Sequence, residues 1–339
     1  VNLKEGSCIS VLGSIKEIYC SRNTLYCLST SYEDTYSKTD ITSFSLNGLT
    51  IACKAKGEIK GIFNNNYSFD EYEGYLRCGA TYYDFTTYKD VSCIYVLNDK
   101  LEIVGKCENI ADDEEIKSIR FIGDKGYVVT FRQTDPLFSL DLSDPKNPIV
   151  TGELKLPGYS TYLHPLSESL LLGIGYDGNE ENADTNKLKI ALFDISDMSK
   201  PVLLDDFVIE GATSEVNYEP KALIHYAEKS IIGIPVIAWD YAPHGSKSVK
   251  SYAVIKYTEN ELSEVKGFVH DTSGSDEFFR GTCIDDKLYT IDLYKVIEHS
   301  LSSGERQREC IITEESEFEE NTVSATTAPA YIPETQIIS

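Results

Sequence analysis

The chain has 339 residues, of which 41% are hydrophobic and 25% are charged. This composition is typical of a globular protein and excludes a disordered or fibrous chain. The formal net charge of −24 repels phosphate backbones and anionic lipid, so nucleic acid and bare membrane are disfavoured as partners. The simplest role of such an acidic surface is solubility, and binding of cations, calcium above all, is the alternative.

The nine cysteines are an odd number and form no C-x-x-C pair, which disfavours a zinc ribbon or a thioredoxin-type site. Most of them lie in apolar, strand-like runs, such as Cys27 in "TLYCLST" and Cys93 in "VSCIYVL". We therefore expect buried hydrophobic side chains, although one or two disulfides are compatible with the pattern. No apolar run reaches the length that a bilayer requires, so we expect no membrane insertion.

A strand-like segment that ends in a polar turn recurs about every fifty residues along the chain. The copies are "ITSFSLNG", "CIYVLND", "FSLDLSD", "ALFDISD" and "AVIKYTE". A short hairpin such as "FIGDKGYVV" precedes the segment, and a further strand such as "PIVTGELKL" follows it. The repeated unit therefore has four strands. Helical periodicity is almost absent, and the strand context makes even "LYKVIEHSLSSG" a predicted strand.

Two of the repeated turns are nearly identical in sequence, "DLSDPKNP" and "DISDMSKP". Asp144 and Asp197 are suited to accept hydrogen bonds from their own turn backbones. Pro148 and Pro201 stand where the next strand begins, where the missing N–H does little harm. The repetition therefore indicates architecture and not catalysis.

Six such units predict an all-β fold, a β-propeller of about six four-stranded antiparallel blades spanning residues 1–312. The predicted blades begin near Lys16, Ser68, Ser118, Thr161, Lys221 and Arg280. Residues 7–12 are predicted to form an extra strand that either closes the ring or is the remnant of a blade lost upstream. Residues 313–339 are rich in Glu, Thr and Pro and predict a flexible acidic tail.

The central stretch "IKSIRFIGDKGYVVTFRQTDPLFSLDLSDPKNPIVTGELKLPGYSTYLHP" resembles a known family. This family comprises secreted bacterial and archaeal proteins with a C-terminal β-propeller domain that is distantly related to WD repeats. The segments "YSFDEYEGYLRCGAT", "KIALFDISD" and "FRGTCIDDKLYTI" fit the same pattern. The resemblance covers most of residues 8 to 300.

The resemblance implies an extracellular or cell-surface location and further repeats upstream, so that these blades would be part of a larger ring. It implies no particular activity. Where the family commonly has Asp-His-Lys-Ala, this chain has Glu219, Pro220, Lys221 and Ala222. A role that depends on that histidine is therefore not expected here.

In a propeller the first strand of each blade is innermost, so its polar residues are the candidate ligand-binding groups. These residues are Asp70, Glu71, Arg120, His164, Lys221, His225 and Arg280. An anionic group could be held between Arg120 and Arg280, because a guanidinium matches carboxylates and phosphates. The alternative is that these side chains satisfy one another, as buried charges must.

The loop "YDGNEENADTN" carries alternating oxygen ligands of the kind that calcium prefers, although it does not complete an EF-hand pattern. The candidate metal ligands are Asp177, Asn179, Glu181 and Asp184. A solvated acidic turn is the alternative. Trp239 and Tyr241, expected on a long loop, could stack on a sugar or peptide ring.

No nucleophile motif or dinucleotide fingerprint is present in a suitable context. The favoured hypothesis is an extracellular, non-catalytic scaffold that binds a protein, peptide or glycan through the rim of the channel. The alternative is a polysaccharide hydrolase or lyase that uses carboxylates around the channel. A third hypothesis is a cell-wall spacer whose acidic surface only maintains solubility.

Overall fold

The computed structural model describes residues 13–33, 35–131, 135–178, 183–242, 245–270, 279–312 and 337–338. The described residues form six antiparallel β-sheets with strands paired mainly in chain order, together with four short 3₁₀ helices. This arrangement confirms the predicted all-β fold with four-stranded blades. In the described part of the chain no helix is both long enough and apolar enough to cross a membrane. The predicted strand at residues 7–12 and nearly all of the predicted tail lie outside the described residues.

The chain divides into two compact units, and the first comprises Val1–Tyr159 with Ser196–Pro201. It contains the first three sheets. The first sheet has strands β1 (Glu17–Cys20), β2 (Thr24–Tyr32), β3 (Ser37–Asn47) and β4 (Thr50–Lys60). The second sheet has β5 (Phe69–Tyr72), β6 (Tyr75–Asp84), β7 (Lys89–Leu97) and β8 (Ile103–Asp112). The third has β9 (Glu115–Ile122), β10 (Lys125–Phe131), β11 (Asp135–Asp141) and β12 (Ile149–Leu156).

The second unit comprises Ser160–Ile195 with Val202–Ser339 and contains the other three sheets. The fourth sheet has β13 (Tyr159–Pro165), β14 (Leu170–Gly178), β15 (Ala183–Asp194) and β16 (Val202–Glu210). The fifth has β17 (Ala212–Thr213), β18 (Ile224–Tyr226), β19 (Ile231–Ala242), β20 (Gly245–Tyr257) and β21 (Leu262–Val269). The sixth has β22 (Arg280–Ile284), β23 (Lys287–Ile291), β24 (Lys295–Ser300) and β25 (Arg306–Ile311). The two-residue strand β26 (Ile337–Ile338) pairs with β16.

Apolar side chains from neighbouring sheets pack face to face and form the core. Ile41 of the first sheet and Leu97 of the second share one buried cluster, and Ile94 of the second sheet and Val128 of the third share another. Strand β7 contributes to both clusters, which explains why its residues from Val91 to Leu97 are all buried. In the second unit, Phe268 and Leu288 join the fifth and sixth sheets in the same way. In these pairs, each sheet therefore depends on its neighbour to cover an apolar face.

The fifth sheet departs from the predicted pattern at its first strand. Two short strands, β17 and β18, pair with β19 in place of one continuous strand. Lys221, predicted to lie on the first strand, is exposed in a 3₁₀ helix spanning Pro220–Ala222. Pro220 has no N–H to donate to a strand partner, and the Glu219 carboxylate accepts a hydrogen bond from the backbone N–H of Lys221. The backbone is thereby turned out of the sheet.

A register shift typical of a β-bulge occurs between the third and fourth strands of every sheet. The shifts lie at Ser43/Phe44, Val91/Cys93, Val96/Leu97, Ser139/Leu140, Leu192/Phe193, Val254/Lys256 and Glu298/His299. A bulge bends its strand and increases the local twist. The recurrence at one place in each repeat indicates that the bulge belongs to the repeated unit, a feature that the sequence patterns do not predict.

The repeated turns between third and fourth strands pack on the outer strand of the preceding sheet. Asp144 and Asp197 accept hydrogen bonds from the backbone N–H groups of Lys146 and Ser199, as predicted. A glycine lies beneath each of three such turns. The glycine–turn pairs are Gly57 with Leu101, Gly105 with Pro145 and Lys146, and Gly152 with Met198 and Ser199. A methyl group at any of these glycines would overlap the backbone or Cβ of the turn.

Gly105→Ala should destabilise the protein by at least about 2 kcal/mol, because the new methyl group would overlap the Pro145 carbonyl oxygen. Gly13→Ala is the matched control, since no atom of the described residues lies within 4 Å of a methyl group there. Urea unfolding of both variants measures the difference. A Gly105→Ala protein within about 0.5 kcal/mol of wild type would contradict this account of the turn.

Candidate functional site

Asp70 is engaged by Arg77, a guanidinium that is only 3% exposed. The Nε of Arg77 donates to Asp70 Oδ2 at 3.0 Å, and Nη2 donates to the same oxygen. The Nη1 atom donates to the carbonyl oxygen of Gly123 at 2.6 Å. The guanidinium also lies over the rings of Tyr72 and Phe121. Phe121 lies in strand β9 of the third sheet, and Gly123 lies in the turn that follows it. The contacts of Arg77 therefore join the second sheet to the third.

Glu71 joins the second sheet to the first in a comparable way. Tyr26 Oη donates to Glu71 Oε2 at 2.6 Å, and Ser21 Oγ donates to the same oxygen at 2.9 Å. The backbone N–H of Glu71 donates to Tyr19 Oη at 2.9 Å. Burial first, and then the hydrogen bond and charge of Glu71, raise the pKa of Tyr26 well above its usual range. Tyr26 therefore remains a donor to this carboxylate at all physiological pH values.

The two candidate arginines have different surroundings and belong to different units. Arg280 forms an ion pair with Glu215, whose other oxygen accepts the backbone N–H of Phe279 at 3.1 Å. The guanidinium of Arg120 lies over the ring of Tyr67, with 5.2 Å between Cζ and the ring centroid. Arg120 belongs to the first unit and Arg280 to the second. An anion held between them therefore stays a prediction.

His164 and His225 are brought together in the second unit, although 61 residues separate them in the chain. His164 Nε2 lies 3.1 Å from His225 Nδ1, and the two rings are nearly perpendicular, at 84°. The outer ring nitrogens contact phenols, His164 Nδ1 with Tyr162 Oη at 3.0 Å and His225 Nε2 with Tyr257 Oη at 2.9 Å. The four side chains form a continuous chain of hydrogen bonds between the fourth and fifth sheets.

The proton content of this histidine pair is limited by its geometry. Two neutral rings carry one N–H each, and a hydrogen bond between the facing nitrogens uses one of these two protons; one ring can then become cationic by using its outer nitrogen. A second protonation would place two N–H groups in the same 3.1 Å gap. Burial lowers the pKa of His225, so the neutral form is favoured at neutral pH.

The proposed calcium loop is only partly within the described residues, because Asn179 and Glu181 lie outside them. Asp177 and Asp184 face each other across strands β14 and β15. Asp177 lies 3.5 Å from Lys189 Nζ, and this ammonium lies 2.8 Å from Asp206. Among the described residues no group of three or more His, Cys, Asp or Glu side chains is placed to hold a metal ion. Calcium binding here stays a prediction.

Trp239 and Tyr241, expected on a long loop, lie instead in strand β19, which pairs with β20 as far as Ala242. The expectation of a loop is therefore wrong, because the two strands continue to the tip of the hairpin. Their side chains lie outside what the structure describes. Their stacking on a ligand stays a prediction.

The tip of the β6–β7 hairpin carries three exposed aromatic side chains that we did not predict as a site. Tyr83 is 40% exposed, Phe85 54% and Tyr88 74%. We call these three residues the aromatic tip. The rings of Tyr83 and Phe85 lie edge to face, with centroids 5.1 Å apart. The signal in the sequence is the density of aromatic residues in "TYYDFTTYK", a segment that also contains the turn.

The backbone of the aromatic tip is held in one conformation. The Asp84 carboxylate accepts a hydrogen bond from the Thr86 N–H at 2.8 Å, which lowers the pKa of Asp84. The Asp84 carbonyl accepts the Tyr88 N–H at 2.7 Å. Tyr88 has a positive φ of 59°, a conformation that costs a bulky residue free energy. Tyr88, the residue with this strained backbone, is also the most exposed of the three.

Comparison with known proteins agrees with the fold. The family model described as "Beta propeller domain" matches residues 2–303. The chain belongs to this β-propeller domain family. A solved structure of the N-terminal domain of Nup159 is similar at a TM-score of 0.43 and 10% identity, covering 90% of this chain and 80% of that one.

Two archaeal relatives of this β-propeller domain have no described activity. The uncharacterized protein MJ1554 of Methanocaldococcus jannaschii is 38% identical over 239 residues, which cover 70% of this chain and 35% of that protein. An uncharacterized protein of Archaeoglobus fulgidus is 41% identical over 198 residues, covering 58% of this chain and 30% of that protein. The chain thus spans about a third of the length of the curated relatives it matches.

A buried polar cluster attaches the sixth sheet of the propeller to the end of strand β21. His270 Nδ1 contacts Thr290 Oγ1 at 2.8 Å, and the same hydroxyl lies 3.1 Å from His299 Nε2. His270 Nε2 lies 3.0 Å from Asp292 Oδ2, and both side chains are at most 1% exposed. Sequence patterns did not indicate this cluster, because its members are spread over several turns and strands. Full burial of the His270 and Asp292 side chains makes the cluster structural.

Stability should depend on pH through Asp292. Burial alone would raise the pKa of this carboxyl group, but the hydrogen bonds from the backbone N–H groups of Lys295 and Tyr294, together with the imidazole of His270 3.0 Å away, outweigh burial and lower the pKa below its ordinary value. The carboxylate therefore contributes stability above pH 3.8, and this contribution is lost as the pH falls through the folded-state pKa. Asp292→Asn should be clearly less stable than wild type at pH 7, and the gap should narrow at pH 3. Urea unfolding at both pH values tests this, and an unchanged gap would refute it.

Proposed function

We propose that this β-propeller domain is a non-catalytic scaffold that binds a protein, peptide or glycan outside the cell. The observation that carries the proposal is the aromatic tip, a rigid hairpin end that presents Tyr83, Phe85 and Tyr88 to solvent. Rigid aromatic side chains supply contact area at a low cost in conformational entropy, which is why they dominate binding surfaces. None of these three side chains is among the buried residues of the described core.

A second feature makes the tip suited to binding. Lys60 places its ammonium over Tyr82, the buried neighbour of Tyr83, at 3.7 Å from the ring centroid. The same ammonium lies 5.2 Å from the ring of Tyr36. Lys60 therefore braces the base of the hairpin against the first sheet through cation–π contacts. These contacts fix the base of the hairpin that carries the aromatic tip.

The carboxylates of the first strands support a scaffold over a hydrolase or lyase. Asp70 is paired with Arg77, and Glu71 accepts hydrogen bonds from Tyr26 and Ser21. A glycosidase requires two carboxyl groups that are free to exchange protons with substrate. These two carboxylates are instead engaged with partners on their own or the neighbouring sheet.

The resemblance to secreted propeller proteins supports a location outside the cell. The net charge of −24 disfavours nucleic acid as a partner, and we propose no insertion into a membrane. The chain matches only about a third of the length of its relatives. Any partner of the whole protein is therefore proposed here and not shown.

A glycan and peptide array probed with and without calcium tests the proposal. We expect binding to a restricted set of glycans or peptides, since a rigid site selects its ligands by shape. The arm with calcium also tests the predicted site at Asp177 and Asp184. An absence of binding in both conditions would contradict the scaffold proposal.

Tyr88→Gly should abolish most of the binding found on the array without loss of stability. Glycine relieves the positive φ of 59° at this position while removing the most exposed ring. We expect affinity to fall at least about tenfold, as for a central aromatic anchor. Binding is measured by calorimetry with the best array ligand and stability by thermal unfolding.

Glu73→Gly is the matched control for Tyr88→Gly. Glu73 also has a positive φ, 50°, and lies in the β5–β6 turn of the same sheet. The control should gain a similar small stability and retain wild-type affinity. Equal losses of affinity in both variants would show that the aromatic tip is not the binding surface.

A further inference from the structure

The facing nitrogens of His164 and His225 have the separation of two ligands on one transition-metal ion. Their distance is 3.1 Å. Two nitrogens bound to one ion at about 2.0–2.1 Å lie roughly 2.9 to 3.4 Å apart when the angle at the metal is between about 90° and 110°. An ion could therefore replace the shared proton with little movement of either ring.

The outer nitrogens of both rings already have the contacts that metal-bound histidines need. A ligating imidazole is neutral and donates its remaining N–H to an acceptor that orients the ring. Tyr162 Oη lies 3.0 Å from His164 Nδ1, and Tyr257 Oη lies 2.9 Å from His225 Nε2. With both N–H groups directed at the phenol oxygens, the two inner lone pairs face each other. Only a proton or a cation between them relieves that repulsion.

The chemistry of the donors selects the class of ion. Imidazole nitrogen favours Cu²⁺, Ni²⁺ and Zn²⁺, whereas Ca²⁺ and Mg²⁺ prefer oxygen. The net charge of −24 raises the local concentration of any divalent cation.

We propose that His164 and His225 bind one Zn²⁺ or Cu²⁺ ion between the fourth and fifth sheets, with water in the remaining coordination positions. Among the described residues no third His, Cys, Asp or Glu side chain completes the set. Within that part of the chain, the remaining positions are left to water or to a donor atom of a bound ligand. The inference does not depend on the aromatic tip, which lies in the first unit.

Metal titration of the full, untagged chain after dialysis against a chelator tests the proposal. We expect calorimetry to show one Zn²⁺ or Cu²⁺ bound per chain, and thermal unfolding to shift upward at saturation. His164→Gln and His225→Gln should each abolish Zn²⁺ binding and remove the thermal shift. Tyr257→Phe should weaken binding less, by about tenfold, because it removes only the acceptor of the outer N–H.

Two controls separate this site from other causes. The double variant Asp177→Asn/Asp184→Asn should bind Zn²⁺ like wild type, because it alters only the acidic hairpin. Electron paramagnetic resonance of the wild-type protein with one equivalent of Cu²⁺ should show two imidazole nitrogens, a readout that requires no variant to fold. The proposal is overturned by fewer than two nitrogens, by full binding in both histidine variants, or by loss of binding only in the acidic-hairpin variant. It is equally overturned if the wild-type protein binds no ion and the pair only shares a proton.

Discussion

The close approach of three third-to-fourth strand turns to a glycine of the preceding sheet is the constraint on which the first unit depends. Gly105 lies under Pro145 and Lys146, and Gly152 lies under Met198 and Ser199. The second contact explains why Ser196–Pro201 belongs to the first unit although it connects strands of the fourth sheet. Within the first unit, the turns above Gly57 and Gly105 therefore determine how closely neighbouring sheets pack, and the apolar faces between those sheets can fill the remaining space at the density of a protein interior.

The same packing decides the role of the polar residues on the first strands. Charged groups near the contact between two sheets lose water, so each needs a partner at short range. Arg77 meets this need with Asp70 and the carbonyl of Gly123, and Glu71 meets it with Tyr26. These side chains connect neighbouring blades. The recognition that we propose therefore falls to side chains outside these contacts, such as those of the aromatic tip.

Much of the fold could be predicted from the sequence, because the repeat combines local signals that agree. The hydrogen bonds of Asp144 and Asp197 depend on residues only two positions away, and Pro148 directly precedes strand β12. The displacement of Lys221 could not be predicted from strand patterning alone. There the local preference of Glu219 and Pro220 for a turn prevailed over the repeat.

The candidate site was less accessible to sequence reasoning, since it depends on contacts between distant residues. His164 and His225 were both candidates, but nothing local indicates that their rings meet across 61 residues. Tyr88 was overlooked because an aromatic residue in a strand-rich chain is usually buried, and its exposure depends on where the hairpin turns. Burial and pairing across sheets are properties of the whole fold.

The central claim is that polar residues of the first strands hold neighbouring blades together. A double-mutant cycle on Tyr26→Phe and Glu71→Ala, followed by urea unfolding, tests this claim most directly. The account predicts a favourable coupling free energy of about 1 kcal/mol or more between these side chains of the first and second sheets. A coupling of zero, with each variant as stable as wild type, would contradict it.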